Sequence, residues 1–257
     1  MKNKILKLKN ISKSYDNYSV LKNLNMELYS GEITCLLGPS GSGKTTIFRI
    51  ASDLEKADSG EVIKNNALRS GYVFQEPRLL PWKTVSDNLA FIQQNFLQKE
   101  EAVKLRKILL DLADLREFED NYPHELSGGM KQRLELIRAF SIIPDLVFMD
   151  EPFKSLDTKT KYNLRRLITV IHQESSISIF LITHDPEEAV LLADKIYILA
   201  GGGKGIKEKI KIDKDRQKRN LSDPYIYGIQ EKILNTFTGL VKDLDLKREV
   251  IRSSFKK

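Results

Sequence analysis

Three stretches of this chain carry residue types at spacings that can do chemistry on phosphates. Gly38-Pro39-Ser40-Gly41-Ser42-Gly43-Lys44-Thr45-Thr46 fits the pattern G-x-x-x-x-G-K-[ST], with a buried-strand pattern before it and a helical one after it. Its glycines let successive backbone N–H groups curl around a phosphate, and the positive end of the following helix points at the anion. Lys44 can then reach the β- and γ-phosphates of a nucleoside triphosphate, and the Thr45 hydroxyl can ligate Mg2+. The second stretch is Asp150-Glu151-Pro152, delivered by the apolar run Leu146–Met149. Adjacent carboxylates at a strand end point in different directions and can divide two tasks. Asp150 would hold Mg2+ through its water shell, and Glu151 would polarise an attacking water as general base. In the third, Leu126-Ser127-Gly128-Gly129-Met130-Lys131-Gln132-Arg133, a Ser-Gly-Gly opens onto a helix and forms another anion cradle.

The elements that must position these groups are legible as hydrophobic patterns. Ile33–Leu37 is almost wholly apolar, as a strand buried on both faces should be. Tyr72–Phe74, Leu146–Met149, Ile177–Ile182 and Ile196–Leu199 read the same way. Helical patterns lie between them, near Thr45–Asp53, Val85–Asn95, Glu100–Leu112, Gly129–Phe140, Lys159–Gln173 and Pro186–Ala193. Strands alternating with helices predict an α/β domain with a mainly parallel core sheet. Ile5–Ile11 and Leu24–Tyr29 alternate apolar with polar residues, which predicts a separate antiparallel β layer. From about 84 to 142 the pattern is helix only, a helical subdomain. Gly201–Gly203 and Lys204 mark the end of the α/β body, and Ile206–Ile212 reads as an edge strand protected by lysines. Ser222, Asp223 and Pro224 form a helix start, followed by one apolar face at Ile226, Ile229, Ile233, Phe237, Leu240 and Leu244. The domain division expected is 1–221 for the nucleoside-triphosphate-binding α/β domain, with its helical subdomain, and 222–257 for an amphipathic helix with a basic tail.

Composition narrows the class. The chain is 41% hydrophobic and 30% charged, enough apolar residue to fill a core and too much for disorder. One cysteine, Cys35, excludes an intramolecular disulfide framework and a multi-cysteine zinc site, which predicts a cytosolic protein. No run approaches the ~18 apolar residues of a membrane span, and Lys2 and Lys4 are not followed by the apolar core of a signal peptide.

The run Leu126–Arg133, 23 positions from Ser127 to Asp150, resembles the signature motif of ABC-type ATPases. The resemblance extends in order and spacing from about residue 5 to 200. It implies a P-loop ABC ATPase fold, ATP and Mg2+ as ligands, and two chains sandwiching two ATP, so that Ser127, Gly128 and Gly129 serve the nucleotide of the partner copy. By the same resemblance Tyr15, in Ser-Lys-Ser-Tyr-Asp, stacks on adenine, and Gln75 touches Mg2+ and senses the γ-phosphate. Ser155-Leu156-Asp157 forms the D-loop at the dimer interface, and His184 is the switch histidine on γ-phosphate and water. His124 and His172 match no motif and read as structural. Lys154 stands where relatives commonly carry a small residue, and Met149 replaces a usual leucine.

A finer resemblance lies in Tyr72-Val-Phe-Gln-Glu-Pro-Arg-Leu-Leu-Pro-Trp-Lys-Thr-Val85, which is similar to the ATP-binding subunits of nitrate-, sulfonate- and taurine-type importers, including relatives handling vitamin precursors. It implies that Arg78, Leu79, Leu80 and Trp82 present exposed apolar and cationic groups to a transmembrane permease. An extracytoplasmic substrate-binding protein is implied indirectly, and the place of action would be the cytoplasmic face of the cell membrane, peripherally bound. Two other functions remain open: the ATPase of an exporter or lipoprotein-release system, and a soluble ABC ATPase acting on nucleic acid or ribosomes. Against the latter stand the missing coiled-coil insert, second cassette and paired cysteines.

The formal net charge of +7 raises nucleic-acid binding as a further question. Its distribution answers differently. Residues 1–200 hold 27 Lys+Arg and 27 Asp+Glu, whereas 201–257 hold 15 and 8. The basic stretch 204–219 therefore reads either as a solvated linker or as a segment drawn to an anionic membrane surface, with no specific nucleic-acid partner expected.

Overall fold

The computed structural model describes residues 3–16, 18–65, 68–200 and 205–237. Leu240, Leu244 and the rest of the expected tail lie outside them, as do Gly201–Gly203 and Lys204. The buried runs form a six-stranded sheet in the order β5 (Ser70–Val73), β6 (Leu146–Asp150), β7 (Ser178–Thr183), β3 (Ile33–Leu37), β8 (Lys195–Leu199), β9 (Ile206–Lys211). The first five are parallel, and β9 closes the edge antiparallel to β8. β1 (Lys4–Tyr15), β2 (Tyr18–Tyr29) and β4 (Ser59–Lys64) form the antiparallel layer, in the order β2-β1-β4.

Why the core strands are apolar throughout is visible in their alternation. Cys35, Leu37, Val147, Met149, Ile179 and Leu181 face one hydrophobic cluster, while Leu36, Leu146, Phe148, Phe180 and Ile182 face another. The first cluster is closed by α2 (Val85–Gln93), α4 (Gly128–Phe140), α5 (Thr158–Ser175) and α6 (Pro186–Leu192). α3 (Lys99–Leu112) adds Leu109 and Leu110 to it. The second holds α1 (Lys44–Ala51) between the core sheet and the antiparallel layer, with Phe48 edge-on to Phe148 at 5.7 Å. With both faces covered, the buried strand positions carry apolar side chains apart from the small Thr34, Ser178 and Thr183.

The expected core strands and helices shift by at most two residues at either end, whereas β1 runs four residues past its expected end and β2 begins six residues before its expected start. β4 is not foreshadowed in the sequence: its side chains are mostly exposed, so Ser59-Gly-Glu-Val-Ile-Lys64 shows no strong apolar alternation. The C-terminal helix, α7, runs over 224–237, and Ile226, Ile229 and Ile233 are buried in the same cluster as β3. The segment before it is not a solvated linker. Arg216 and Arg219 are buried, with side-chain exposures of 7% and 1%, and grip Asp194 and the carbonyls of Val190, Leu192 and Ala193. Lys211 and Lys214 pair with Asp213 and Asp223. The basic residues that suggested a membrane contact are thus partly consumed inside the fold.

Candidate functional site

Sheet order and register set the site. Val73 pairs with Met149, Asp150 with Ile182, and Thr183 with Leu37. The residues that leave these strands at their C-terminal ends therefore line up along one sheet edge: Gln75 after β5, Asp150 and Glu151 at β6, His184 after β7, and the loop 38–43 after β3. This is the crevice where open α/β sheets bind ligands.

The loop is shaped for close approach of an anion. Gly41 and Gly43 have φ of +73° and +96°, the left-handed region that glycine tolerates, and a Cβ at Gly43 would lie 3.0 Å from Val20 and Leu21. Gly43 caps α1 with no side-chain acceptor, so the first-turn N–H groups point into the loop, and no acidic residue occupies that turn. Lys44 is 5% exposed and donates from Nζ to the carbonyls of Gly38 (2.9 Å) and Pro39 (3.0 Å). Burial pulls its ammonium below the usual lysine range, and the charges of Glu151 and Asp150 oppose that shift. The Ser42 hydroxyl is buried and unpartnered among the described atoms. A buried cation, an orphaned hydroxyl and free helix-end donors are what a bound phosphate would satisfy. Ser40 and Thr45 are exposed at the loop rim, and Thr46 is buried in the first turn of α1.

At β6 the Asp150 carboxyl is pushed up by burial, with the Glu151 charge adding to the effect and Lys44 opposing it. A desolvated carboxylate, the exposed Thr45 hydroxyl and the exposed Gln75 amide are hard oxygen donors. No cluster of three or more His, Cys, Asp or Glu able to hold a metal occurs among the described residues. That donor set fits Mg2+, which takes few protein ligands and completes its octahedron with water and phosphate oxygens. Glu151 has φ +46°, donates its N–H to Ile182 (2.9 Å), and has Oε1 3.4 Å from His184 Nδ1. His184 is exposed toward the crevice.

Tyr15 ends β1 beside α1. Its hydroxyl donates to Glu55 (2.6 Å), and partial burial with the Glu55 carboxylate pushes its pKa up, the Thr46 hydroxyl acting the other way. The ring is 43% exposed and thus presents an aromatic surface near the loop.

Ser127, Gly128 and Gly129 lie elsewhere. They line a cavity of about 300 Å3 with Met130, Arg133, Asp157, Thr160 and Asn163, none of which comes from the phosphate loop. Ser127 Oγ caps α4 by accepting from Met130 N–H (3.3 Å), and Asp157 caps α5 by accepting from Thr160 N–H (3.0 Å). One chain therefore carries two anion-ready places that do not meet.

Several positioning groups have no sequence motif. Glu135 and Arg138, buried on α4, pair with each other, and Arg138 also donates to the Arg78 carbonyl (2.6 Å). Burial pushes the Glu135 carboxyl up, opposed by Arg138. Because α4 begins at the signature run, this strap ties that run to the segment after Gln75. Gly71 permits the approach: a Cβ there would come 2.3 Å from the Ala139 carbonyl. Near His184, buried Glu188 accepts from Thr183 and from Lys161 of α5 (3.1 Å). His172 is buried against Arg216 (2.9 Å), and His124, exposed, stacks on Tyr122.

The docking run needs a correction. Leu79 and Leu80 are half-buried rather than exposed, and Leu79 packs on the main core. Trp82, 71% exposed, and Arg78, whose guanidinium lies 3.9 Å over the Phe74 ring, are what the surface offers.

A family model described as ABC transporter matches residues 21–154. An ABC transporter ATP-binding protein of Methanocaldococcus jannaschii is 35% identical over 96% of this chain and 93% of its own length. A sulfate/thiosulfate import ATP-binding protein of Halalkalibacterium halodurans is 35% identical over 91% of this chain and 68% of its own. Among solved structures, a dimeric ATP-binding cassette in a post-hydrolysis state with ADP and phosphate bound superposes with a TM-score of 0.70 and 31% identity, over 82% of this chain and all of that one.

Proposed function

The chain belongs to the ABC transporter family and is an ABC-type ATPase that binds ATP and Mg2+, and from that premise we propose that it powers a membrane importer of a small, anion-like solute. The observation that carries the reading is the alignment of loop 38–43, Asp150–Glu151, His184 and Gln75 on one sheet edge, with an anion cradle at Ser127–Gly129 left open. A second copy would bring its cradle to this chain's nucleotide, as in the dimeric cassette of similar fold.

In this reading the backbone N–H groups of the loop and of the first turn of α1, other than Pro39, which has none, wrap the phosphates, and Lys44 exchanges its two carbonyls for phosphate oxygens. Tyr15 supports the adenine. Thr45, Gln75 and, through its water shell, Asp150 would hold Mg2+, which would supply positive charge to offset that of the β- and γ-phosphates. Glu151 accepts a proton from the attacking water while His184 holds the γ-phosphate side, and ADP and phosphate are released. Closure and reopening of the dimer would drive a permease seated against Arg78 and Trp82, placing the chain peripherally on the cytoplasmic face. Among the described residues no helix is long and apolar enough to cross a membrane. A nitrate-, sulfonate- or taurine-type system is supported by the run Tyr72–Val85 and by a relative named for sulfate/thiosulfate import. A substrate-binding protein outside the membrane would supply the solute. The domain division we propose is 1–221 for the ATPase, with its helical subdomain at about 84–142, and 222–257 for the appended helix and tail.

Glu151→Gln tests the assignment. ATP binding should persist, hydrolysis should fall on the order of 100-fold or more, and a dimer should accumulate with ATP on size exclusion. Turnover near that of the unaltered chain would remove Glu151 from its role.

A further inference from the structure

Charged groups surround Glu151 from four elements: Asp150 on its own strand, Lys44 of α1, His184 after β7, and Lys154 from the turn that follows. Lys154 is the one group there to which the catalytic reading assigns nothing. Its backbone is fixed by the turn itself. Glu151 and Ser155 both occupy the left-handed region (φ +46° and +62°), Lys154 N–H donates to the Glu151 carbonyl (3.1 Å), and Phe153 is fully buried beneath. The turn therefore folds the Lys154 side chain back over Glu151, with Nζ 3.4 Å from Oε2.

The two oxygens of Glu151 are in consequence unlike. Oε2 is shielded from solvent and receives no hydrogen bond, only the ammonium charge of Lys154. Oε1 lies on the His184 side of the crevice. A carboxylate on a flexible stem has a broad terminal torsion, so a charge beside one oxygen decides which way the other faces.

We propose that Lys154 is a positioning residue: its ammonium holds Oε2 of Glu151 so that Oε1 is the oxygen that receives the proton of the attacking water. The step balances within the known reactants. A water O–H bond breaks, its proton passes to Oε1, the water oxygen bonds to the γ-phosphorus, and the bond to the bridging oxygen breaks to leave ADP. This inference rests on Glu151 as general base.

Lys154→Ala should lower kcat about tenfold through lost orientation. KM and calorimetric ATP affinity should not change, and Lys154→Arg should restore most of the rate. In a Glu151→Gln background Lys154→Ala should cost nothing further, because the carboxylate that Lys154 orients, and with it the proton acceptor, is gone. An unchanged or raised kcat in Lys154→Ala overturns the proposal. So does an equal loss in the Glu151→Gln background, or a rise in KM alone, which would make Lys154 a nucleotide contact. If Glu151→Gln is inactive and Lys154→Ala is normal, only this inference fails. If Glu151→Gln itself turns over normally, the general-base reading fails first.

Discussion

The same parallel sheet ends in two clusters of charge, and they are built on opposite terms. At the C-terminal strand ends, Lys44 is buried on two backbone carbonyls, the Ser42 hydroxyl and Glu151 Oε2 lack hydrogen bonds, and Glu151 and Ser155 hold left-handed backbone. At the N-terminal ends, Arg216 donates to both oxygens of Asp194 (2.8 and 2.9 Å), to the Leu192 carbonyl and toward His172. Asp194 also accepts from Ile33 N–H (2.8 Å) at the start of the strand that leads to the phosphate loop. Arg219, pushed down to about 10 by burial and by Arg216, spends its donors on carbonyls of Lys214, Val190 and Ala193. One end leaves polar groups waiting for a ligand; the other has used them to fasten the chain's C-terminal segment. Burial of charge alone does not mark a site. What distinguishes the first end is unmet hydrogen-bonding capacity that faces the strand-end crevice, unlike the unpartnered oxygen of Glu135, which is fully buried on α4.

That contrast can be broken most sharply at the fastening end. Asp194→Ala strands two buried guanidinium groups and should cost about 3–5 kcal/mol of stability, measured by denaturant unfolding. ATP affinity of the molecules still folded should not change. A loss below about 1 kcal/mol, the surface-pair range, would make the cluster mere surface pairing. At the open end the expectation inverts. Lys44→Ala should remove about 2–3 kcal/mol of nucleotide affinity, read by calorimetry, with no drop in melting temperature. Unaltered affinity would contradict the phosphate-loop role. Ser127→Ala should take about 1 kcal/mol from helix α4 by removing its cap, and ATP-dependent dimers should weaken more than ATP binding to the single chain. Smallest in energy, Cys35 separates the two ends without altering either. Its thiol is buried and pushed well up by desolvation, so a thiol reagent should label it only through opening of the core. Labelling should accelerate in Asp194→Ala and stay at its original rate in Lys44→Ala.

Much of the candidate site at the strand ends was legible because its motifs are local. A strand, a glycine loop and a lysine within a few residues need no tertiary knowledge, and the same holds for carboxylates at the end of an apolar run. The strap of Glu135 and Arg138 was not legible. A Glu and an Arg three apart on a helix look like a solvated pair, and only the close packing of α4 on β5 at Gly71 buries them. Glu188 and Lys161 were hidden for a similar reason, since they sit on different helices and stand 27 residues apart in the chain. The charge of the C-terminal segment misled most. Composition counts Arg216 and Arg219 with the surface lysines, and Leu79 counts as exposed in a run whose neighbour Trp82 is.

The sequence by itself pointed to the family, to the strand–loop–helix of residues 33–51 and to the acidic pair at the end of β6, because each is carried by residues adjacent in the chain. The tertiary structure alone decided three things. It brought four loops to one edge through strand order, it turned the basic segment into a fastening, and it set Lys154 over one oxygen of Glu151. The first two depend on which distant surfaces meet, and hydrophobic periodicity does not encode the choice of partner; the third depends on the left-handed backbone of one short turn, which the residue types there do not announce.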